Sequence, residues 1–283
     1  MQTMTFRRIL RTFILMLCLS GTARAQDTIR LQRYAGNLKK VVLRIGGKDW
    51  DFLFDTGGGE TFISPQVAAH LGKTPHGANS TFRMSGEPVS YADCDSVSIR
   101  IGRKTRFHRQ TGVWDLMKIL PAGLPRVDGV LSLRSFSNEA ITLLLDQGLL
   151  IVETPASLRR RAARMRPLPV RFATGMNGRE LTAFAGIPRN GRLYWLLFDS
   201  GNLNDLLLSH ATAAAWGLQA DTTTQRKQLG ALRIDVAGLT AQGTAASEKI
   251  IYDGALNFAT IRQLAFTFDL RRGRAWAGLV KGR

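Results

Sequence analysis

Apolar residues fall in short runs along the chain, and most runs alternate with a period of two instead of recurring every three or four positions. Lys40-Val41-Val42-Leu43-Arg44-Ile45 alternates in part and predicts a strand. Gly46-Gly47 turns it back into Trp50–Phe54, an aromatic-rich run that reads as a buried strand. Leu181–Ile187, the turn dipeptide Asn190-Gly191 and Leu193–Phe198 predict the same hairpin later in the chain. Between Pro75 and Trp114 the pattern is again hairpin-like: Thr81–Met84, a tight turn at Ser85-Gly86-Glu87-Pro88, then Val89–Tyr91. Helix signals are brief. Ser64 before Pro65 predicts an N-cap and a first turn, with Gly72 as the stop; Ser209 and Gly217 bracket a second short helix.

These elements repeat in order. Trp50-Asp51-Phe52-Leu53-Phe54-Asp55-Thr56-Gly57 returns as Tyr194-Trp195-Leu196-Leu197-Phe198-Asp199-Ser200-Gly201. Ile63–Gly72 pairs without a gap with Leu208–Gly217, and Asp128-Gly129-Val130-Leu131-Ser132-Leu133 pairs with Asp253-Gly254-Ala255-Leu256-Asn257-Phe258. Each copy is expected to close on an apolar strand with a central aspartate, Asp146 and Asp269. One Asp-Thr-Gly is ordinary turn chemistry. Three collinear pairings at a spacing the size of a domain predict an internal duplication with one carboxylate per half.

Composition adds a destination and a charge. Arg7, Arg8 and Arg11, the apolar run Phe13–Leu19 and Ala23-Arg24-Ala25 together read as an export signal over residues 1–25, with the mature chain from Gln26; the run is too short to span a bilayer. The expected location is exported, periplasmic or secreted. Beyond that stretch one cysteine remains, Cys94, so no intramolecular disulfide is expected, and it reads as a small buried apolar side chain. The 283 residues carry a net charge of +18, of which four arginines in the first 25 residues account for +4. A basic excess on an exported chain points to anionic envelope polymers, a lipid surface or acidic peptides as partners, and no nucleic-acid motif accompanies it. The densest cluster, Arg159-Arg160-Arg161 with Arg164 and Arg166, reads as a solvated connection between halves.

Other catalytic patterns fail. His70, His76, His108 and His210 show no metal-ligand spacing, so neither a metal nor a cofactor is expected, and there is no Gly-x-Ser-x-Gly elbow. Gly72-Lys73-Thr74 lacks the earlier glycine of a phosphate loop, since Val67 stands there. Two carboxylates held close together cannot both ionise easily. The ionised one is a general base for water and the protonated one a general acid, which is the requirement of amide hydrolysis.

Phe54-Asp55-Thr56-Gly57, Phe198-Asp199-Ser200-Gly201 and the Gly129 and Gly254 segments resemble the pepsin/retropepsin-like aspartic proteases, in the two-lobed single-chain form of small exported bacterial members. The resemblance implies an all-β fold with a short helix per lobe and a cleft between lobes. It implies an aspartic endopeptidase acting on peptide or protein substrates as a monomer. Asp55 and Asp199 would be the catalytic pair; Thr56 and Ser200 would hydrogen-bond across the lobe boundary; Gly57 and Gly201 would donate N–H groups to the carboxylates. In that family a hairpin of the first lobe covers the cleft, which makes Ser85, Gly86 and Glu87 the candidate tip. The sequence departs from the pattern at Gly58 and Asn202, where the family often has Ala or Ser, and at Ser132 and Asn257, where a small Gly is common. The second loop is one residue longer, and Thr61 has no hydroxyl counterpart among Asp205 and Leu206. The expected layout is residues 26–155 as first lobe, 156–169 as basic connection and 170–283 as second lobe. A noncatalytic peptide- or envelope-binding protein on the same fold is the competing reading.

Overall fold

The structure, a computed structural model, describes residues 26–175, 178–219 and 223–280, so the export signal read over residues 1–25 lies outside the described residues. The predicted hairpins form where the turn chemistry allows them. Leu38–Ile45 runs into Lys48–Phe54 through Gly46 (φ +58°) and Gly47 (φ +80°). Thr182–Arg189 runs into Arg192–Phe198 through Asn190 (φ +50°) and Gly191 (φ +74°). Two successive left-handed residues give a turn whose twist matches that of the flanking strands.

Each half builds one large sheet around the same crossing. In the first half, Lys48–Phe54 lies parallel to Gly129–Leu131, which is antiparallel to Phe62–Ile63, which is parallel to Lys104–Val113. In the second half, Arg192–Phe198, Gly254–Leu256, Leu206–Ser209 and Leu239–Glu248 repeat that arrangement, strand for strand. The loop bonds repeat as well. Ser64 N–H donates to Asp128 O at 2.8 Å and Ser209 N–H to Asp253 O at 2.9 Å. The crossing requires glycine at its centre: a Cβ on Gly129 would sit 2.1 Å from the Phe62 carbonyl oxygen, and one on Gly254 would sit 2.5 Å from that of Leu207.

A third, six-stranded sheet joins the halves, in the order Asp27–Arg30, Leu149–Glu153, Ala140–Leu144, Leu264–Asp269, Arg274–Leu279, Arg166–Leu168. Its centre is the antiparallel pair in which Ile141 faces Phe268 and Leu143 faces Phe266, with the Thr142 and Thr267 hydroxyls 2.8 Å apart. Phe198, at the end of the second half's central strand, packs edge-on against Phe266 and Phe268 at 4.7 and 5.1 Å. One apolar core therefore runs from both lobes through this sheet. Full burial of each such ring contributes about 1.5–3 kcal/mol. The architecture is all-β and two-lobed, with short helices α1 (Pro65–His70), α2 (Pro155–Ala162), α3 (His210–Ala215) and α4 (Phe258–Ile261). Ser64 and Ser209 cap α1 and α3, accepting from the N–H groups of Val67 and Thr212.

One expectation needs correction. Each half closes on a hairpin, not on a strand with a central aspartate: Asp146 lies in the turn between Ala140–Leu144 and Leu149–Glu153, and Asp269 ends its strand before a turn. The apolar run was legible, but its fold-back partner was not. The basic connection is also structured. It forms α2, closed by a Thr154/Ser157 capping box, and the edge strand Arg166–Leu168 of the joining sheet. Arg159, Arg160, Arg164 and Arg166 are exposed, while Arg161 holds Glu153 at 2.5 Å.

The crossing glycines should tolerate no side chain. Gly129→Ala and Gly254→Ala are each expected to cost about 1–3 kcal/mol or more through overpacking. Gly217→Ala, at φ +74° with open space around it, should cost only about 1 kcal/mol. Urea denaturation of the three variants checks the order.

Candidate active site

Asp55 and Asp199 each leave the C-terminal end of a central strand. Asp55 N–H donates to Leu131 O at 3.1 Å and Asp199 N–H to Leu256 O at 3.3 Å, so both loops turn out of equivalent strand pairs. The joining sheet sets these exits against each other, and the two carboxyl groups hydrogen-bond to one another. Gly57 N–H donates to Asp55 Oδ1 at 2.8 Å and Gly201 N–H to Asp199 Oδ1 at 2.9 Å. The glycines are needed for space too. A Cβ on Gly57 would lie 2.6 Å from the Asp199 carboxyl carbon, and one on Gly201 would lie 2.5 Å from that of Asp55. Each acid is thus seated against the glycine of the opposite loop.

Thr56 and Ser200 tie the loops together reciprocally. Thr56 N–H donates to Ser200 Oγ (3.1 Å), and Ser200 N–H donates to Thr56 Oγ1 (2.9 Å). The hydroxyls then donate onward, Thr56 to Phe198 O (2.6 Å) and Ser200 to Phe54 O (3.3 Å). Thr56 is wholly buried and Ser200 nearly so, so these four bonds replace water that neither loop can reach.

Burial pushes both carboxyls above the usual aspartate value, because the charged form is desolvated. Asp199 rises well above it, since it also meets the Asp55 charge and the Asp55 hydrogen bond. Asp55 is supported in its ionised form by the N–H groups of Gly57, Gly58 and Gly201 and by a hydrogen bond from Asp199. The two carboxyls therefore titrate as a pair, both drawn above the usual aspartate value.

The hairpin of the first half reaches across to the second half. Its turn is closed by Arg83 N–H to Glu87 O and Gly86 N–H to Arg83 O, both 2.9 Å. Met84 O accepts from Ile251 N–H at 2.9 Å, and Thr81 Oγ1 donates to Glu180. Gly86 (φ +86°) lies against Ile251, whereas Ser85 and Glu87 are exposed. Met84 packs on Leu197, Leu207 and Ala255 with Phe184 and Tyr252. Leu53, Phe62 and Val130 hold the equivalent positions in the first half, clustered with Tyr91 and Trp114. Each lobe so carries a second, smaller buried apolar cluster apart from the main core.

The loops differ in how they are braced. Thr61 Oγ1 meets Ser135 Oγ at 2.8 Å and Ser132 Oγ at 3.2 Å, and Ser132 Oγ donates to Gly59 O at 2.9 Å. The longer second loop uses amides in place of hydroxyls: Asn202 Oδ1 accepts from Asn204 N–H at 2.9 Å, and Asn257 Nδ2 donates to Asn204 O at 2.5 Å. Asp205 anchors the end of that loop through Arg226, Gln228 and Thr244. The departures at Ser132, Asn202 and Asn257 are thus the braces themselves.

Sequence reasoning passed over a second buried cluster behind the first loop. Glu60, 3% exposed, accepts from Arg179, from Gly112 N–H (2.9 Å) and from Tyr91 OH (2.9 Å). Arg179 also grips both Asp93 oxygens, and its neighbour Leu181 donates N–H to Gly59 O at 3.1 Å. A strap from the second half, residues 178–181, is pinned to the first Asp-Thr-Gly loop this way. Burial raises the Glu60 carboxyl despite Arg179. Burial also opposes ionisation of Asp93, but the Arg179 fork draws that carboxyl below its usual value. A Glu in a glycine-rich loop was the only local signal. Among the described residues no group of three His, Cys, Asp or Glu could hold a metal ion. Cys94 is a buried free thiol.

A family model described as aspartyl protease matches residues 41–132, which hold the first Asp-Thr-Gly loop and the first-half hairpin. No curated protein matches the chain in sequence. Among solved structures, conglutin gamma, a basic 7S globulin from lupine seeds, superposes with TM-score 0.56 at 11% identity over 89% of this chain and 94% of its own. The basic 7S globulin from soybean gives 0.54 at 10% identity, and the protein named edgp gives 0.55 at 8%, each with the same coverage. At such identities the likeness shows the fold, the two-lobed all-β architecture of pepsin-like proteins.

The cross-loop bonds predict a graded response at position 56. Thr56→Val should leave the Phe198 carbonyl and the Ser200 N–H unpaired, at about 1–3 kcal/mol each. Thr56→Ser keeps both bonds and should lose about 0.8 kcal/mol for the missing methyl group. Denaturant midpoints of the two variants against the wild type measure the difference.

Proposed function

We propose that the chain is an aspartic endopeptidase that hydrolyses peptide bonds in an extended substrate held between the lobes. The observation that carries this reading is the seating of Asp55 against Gly201 and of Asp199 against Gly57, with both carboxyls pushed up by desolvation. The aspartyl protease match over the first lobe supports it independently.

In this mechanism ionised Asp55 removes a proton from a water held between the two acids. Asp199 donates its proton to the scissile carbonyl oxygen as the water oxygen bonds to the carbonyl carbon. The tetrahedral intermediate collapses when the C–N bond breaks. The nitrogen takes the proton that Asp55 gained, and the gem-diol returns one to Asp199, which restores the starting state. Gly57 and Gly201 leave the carboxyls room for coplanarity, and the Thr56–Ser200 bonds keep them from drifting apart by the fraction of an ångström that positioning cannot lose. The covering hairpin would supply backbone groups once the Met84–Ile251 bond opens. Export of this activity rests on the pattern of residues 1–25.

Asp55→Asn and Asp199→Asn should each lower kcat on an unfolded protein substrate by at least about 10²–10⁴-fold, the usual contribution of positioned acid–base groups. A statine-type inhibitor should block the wild type. Activity should fall at low pH, when both acids are protonated, and again as pH rises through the raised value of the pair. The stability linkage has the same sign. A carboxyl raised by folding contributes fully below its unfolded value, about 3.9, and loses that contribution as pH rises. Asp199→Asn should therefore be more heat-stable than the wild type at neutral pH. Turnover that survives either substitution, or peptide binding without turnover at every pH, would contradict the proposal.

A further inference from the structure

Behind the first lobe, away from the paired aspartates, the strand Lys104–Val113 and the 3₁₀ turn Leu133–Phe136 enclose an open cavity of about 680 Å³. Five basic side chains border it against two carboxylates. Both carboxylates are already engaged. Glu139 holds Lys104 at 2.5 Å and Arg106 at 2.6 Å, and Glu60 is bound by Arg179, Tyr91 and Gly112. Arg134 donates only to the neutral Ser137 hydroxyl, at 2.9 Å, and Arg109 has no acidic partner among the described residues. His108 lines the same cavity, 3.4 Å from Ser135 Oγ. The cavity thus gathers guanidinium groups with no anion to balance them. Ser135, Ser137 and Asn138 add neutral polar groups, and the Phe107 ring is 66% exposed.

Burial, then the charges of Arg134 and Arg106, push the His108 value down to about 4, so the imidazole stays neutral beside these guanidinium groups. Lys104 and Arg109 also border the cavity, as do Glu139 and Glu60, both held in ion pairs.

We propose that this cavity is a binding site for a phosphomonoester, with the phosphate on Arg134 and Arg109 beside His108 and the organic part along Phe107. Guanidinium forks match the tetrahedral oxyanion bidentately, and the serine hydroxyls complete its acceptors. The volume exceeds that of a bare phosphate, so a sugar or glycerol moiety fits with it. A soluble phosphosugar and a phosphorylated lipid headgroup share this chemistry, and the test separates them.

The experiment is calorimetric titration of the full chain with inorganic phosphate and with glucose 6-phosphate at constant ionic strength. Sedimentation with phosphatidylcholine vesicles containing phosphatidic acid runs beside it. Saturable binding should weaken at least tenfold in Arg134→Gln and, separately, in Arg109→Gln. Both changes lie on the cavity rim, so folding is checked by unchanged thermal midpoints. The His108 ring signals should shift toward the protonated form on binding, because a bound anion reverses the field. Tighter binding of glucose 6-phosphate than of phosphate supports a soluble ligand. Arginine-dependent sedimentation without that gain supports a lipid headgroup. No saturable heat beyond sodium chloride, or equal affinity in both arginine variants, overturns the proposal.

Discussion

The reciprocal hydrogen bonds between Thr56 and Ser200 are the constraint on which the rest depends. They cross from one half of the chain to the other where both loops are buried from water. Each hydroxyl accepts one N–H and donates to one carbonyl, so all the polar groups at the crossing are satisfied only when both loops are in register. Two carboxylates repel and resist burial. Left to themselves the halves would relax by moving Asp55 and Asp199 apart. The hydroxyl pair, the joining sheet and the Phe198–Phe266–Phe268 rings hold them against each other.

Duplication explains why so little sequence is needed for this. The same strand crossing, the same glycine at its centre and the same capped helix occur twice, and the two acids are brought together by a near two-fold arrangement of the halves. The symmetry is broken where the halves do different work. The first lobe carries the long hairpin that reaches Ile251. The second sends the 178–181 strap back to Glu60 and Asp93. Hairpin and strap run in opposite directions across the same boundary, so each lobe holds the other's loops.

What could be read from the residues was local or repeated. Gly46-Gly47 and Asn190-Gly191 fix their hairpins by backbone conformation, and Ser64 and Ser209 fix helix starts by a bond three residues away. The Asp-Thr/Ser-Gly copies were legible because they recur. What could not be read depends on partners far along the chain. Nothing near Asp146 shows that its strand folds back on itself, and nothing near Arg166 shows that it extends the sheet joining the halves. Arg179 is 119 positions from Glu60, and a long-range ion pair leaves no periodic trace. The amides at Asn202 and Asn257 looked like departures because the hydroxyl brace of the first loop was the only template, yet they satisfy the longer loop by another set of bonds.

The central claim, one proton held by two facing acids, is tested most directly by carbon-13 NMR titration of the aspartate carboxyls in the folded protein. The account predicts two coupled steps for Asp55 and Asp199, the later one above the ordinary carboxylate range, with that later step moving down when the partner is replaced in Asp55→Asn. Two independent titrations near about 3.9, indifferent to substitution of the partner, would contradict it.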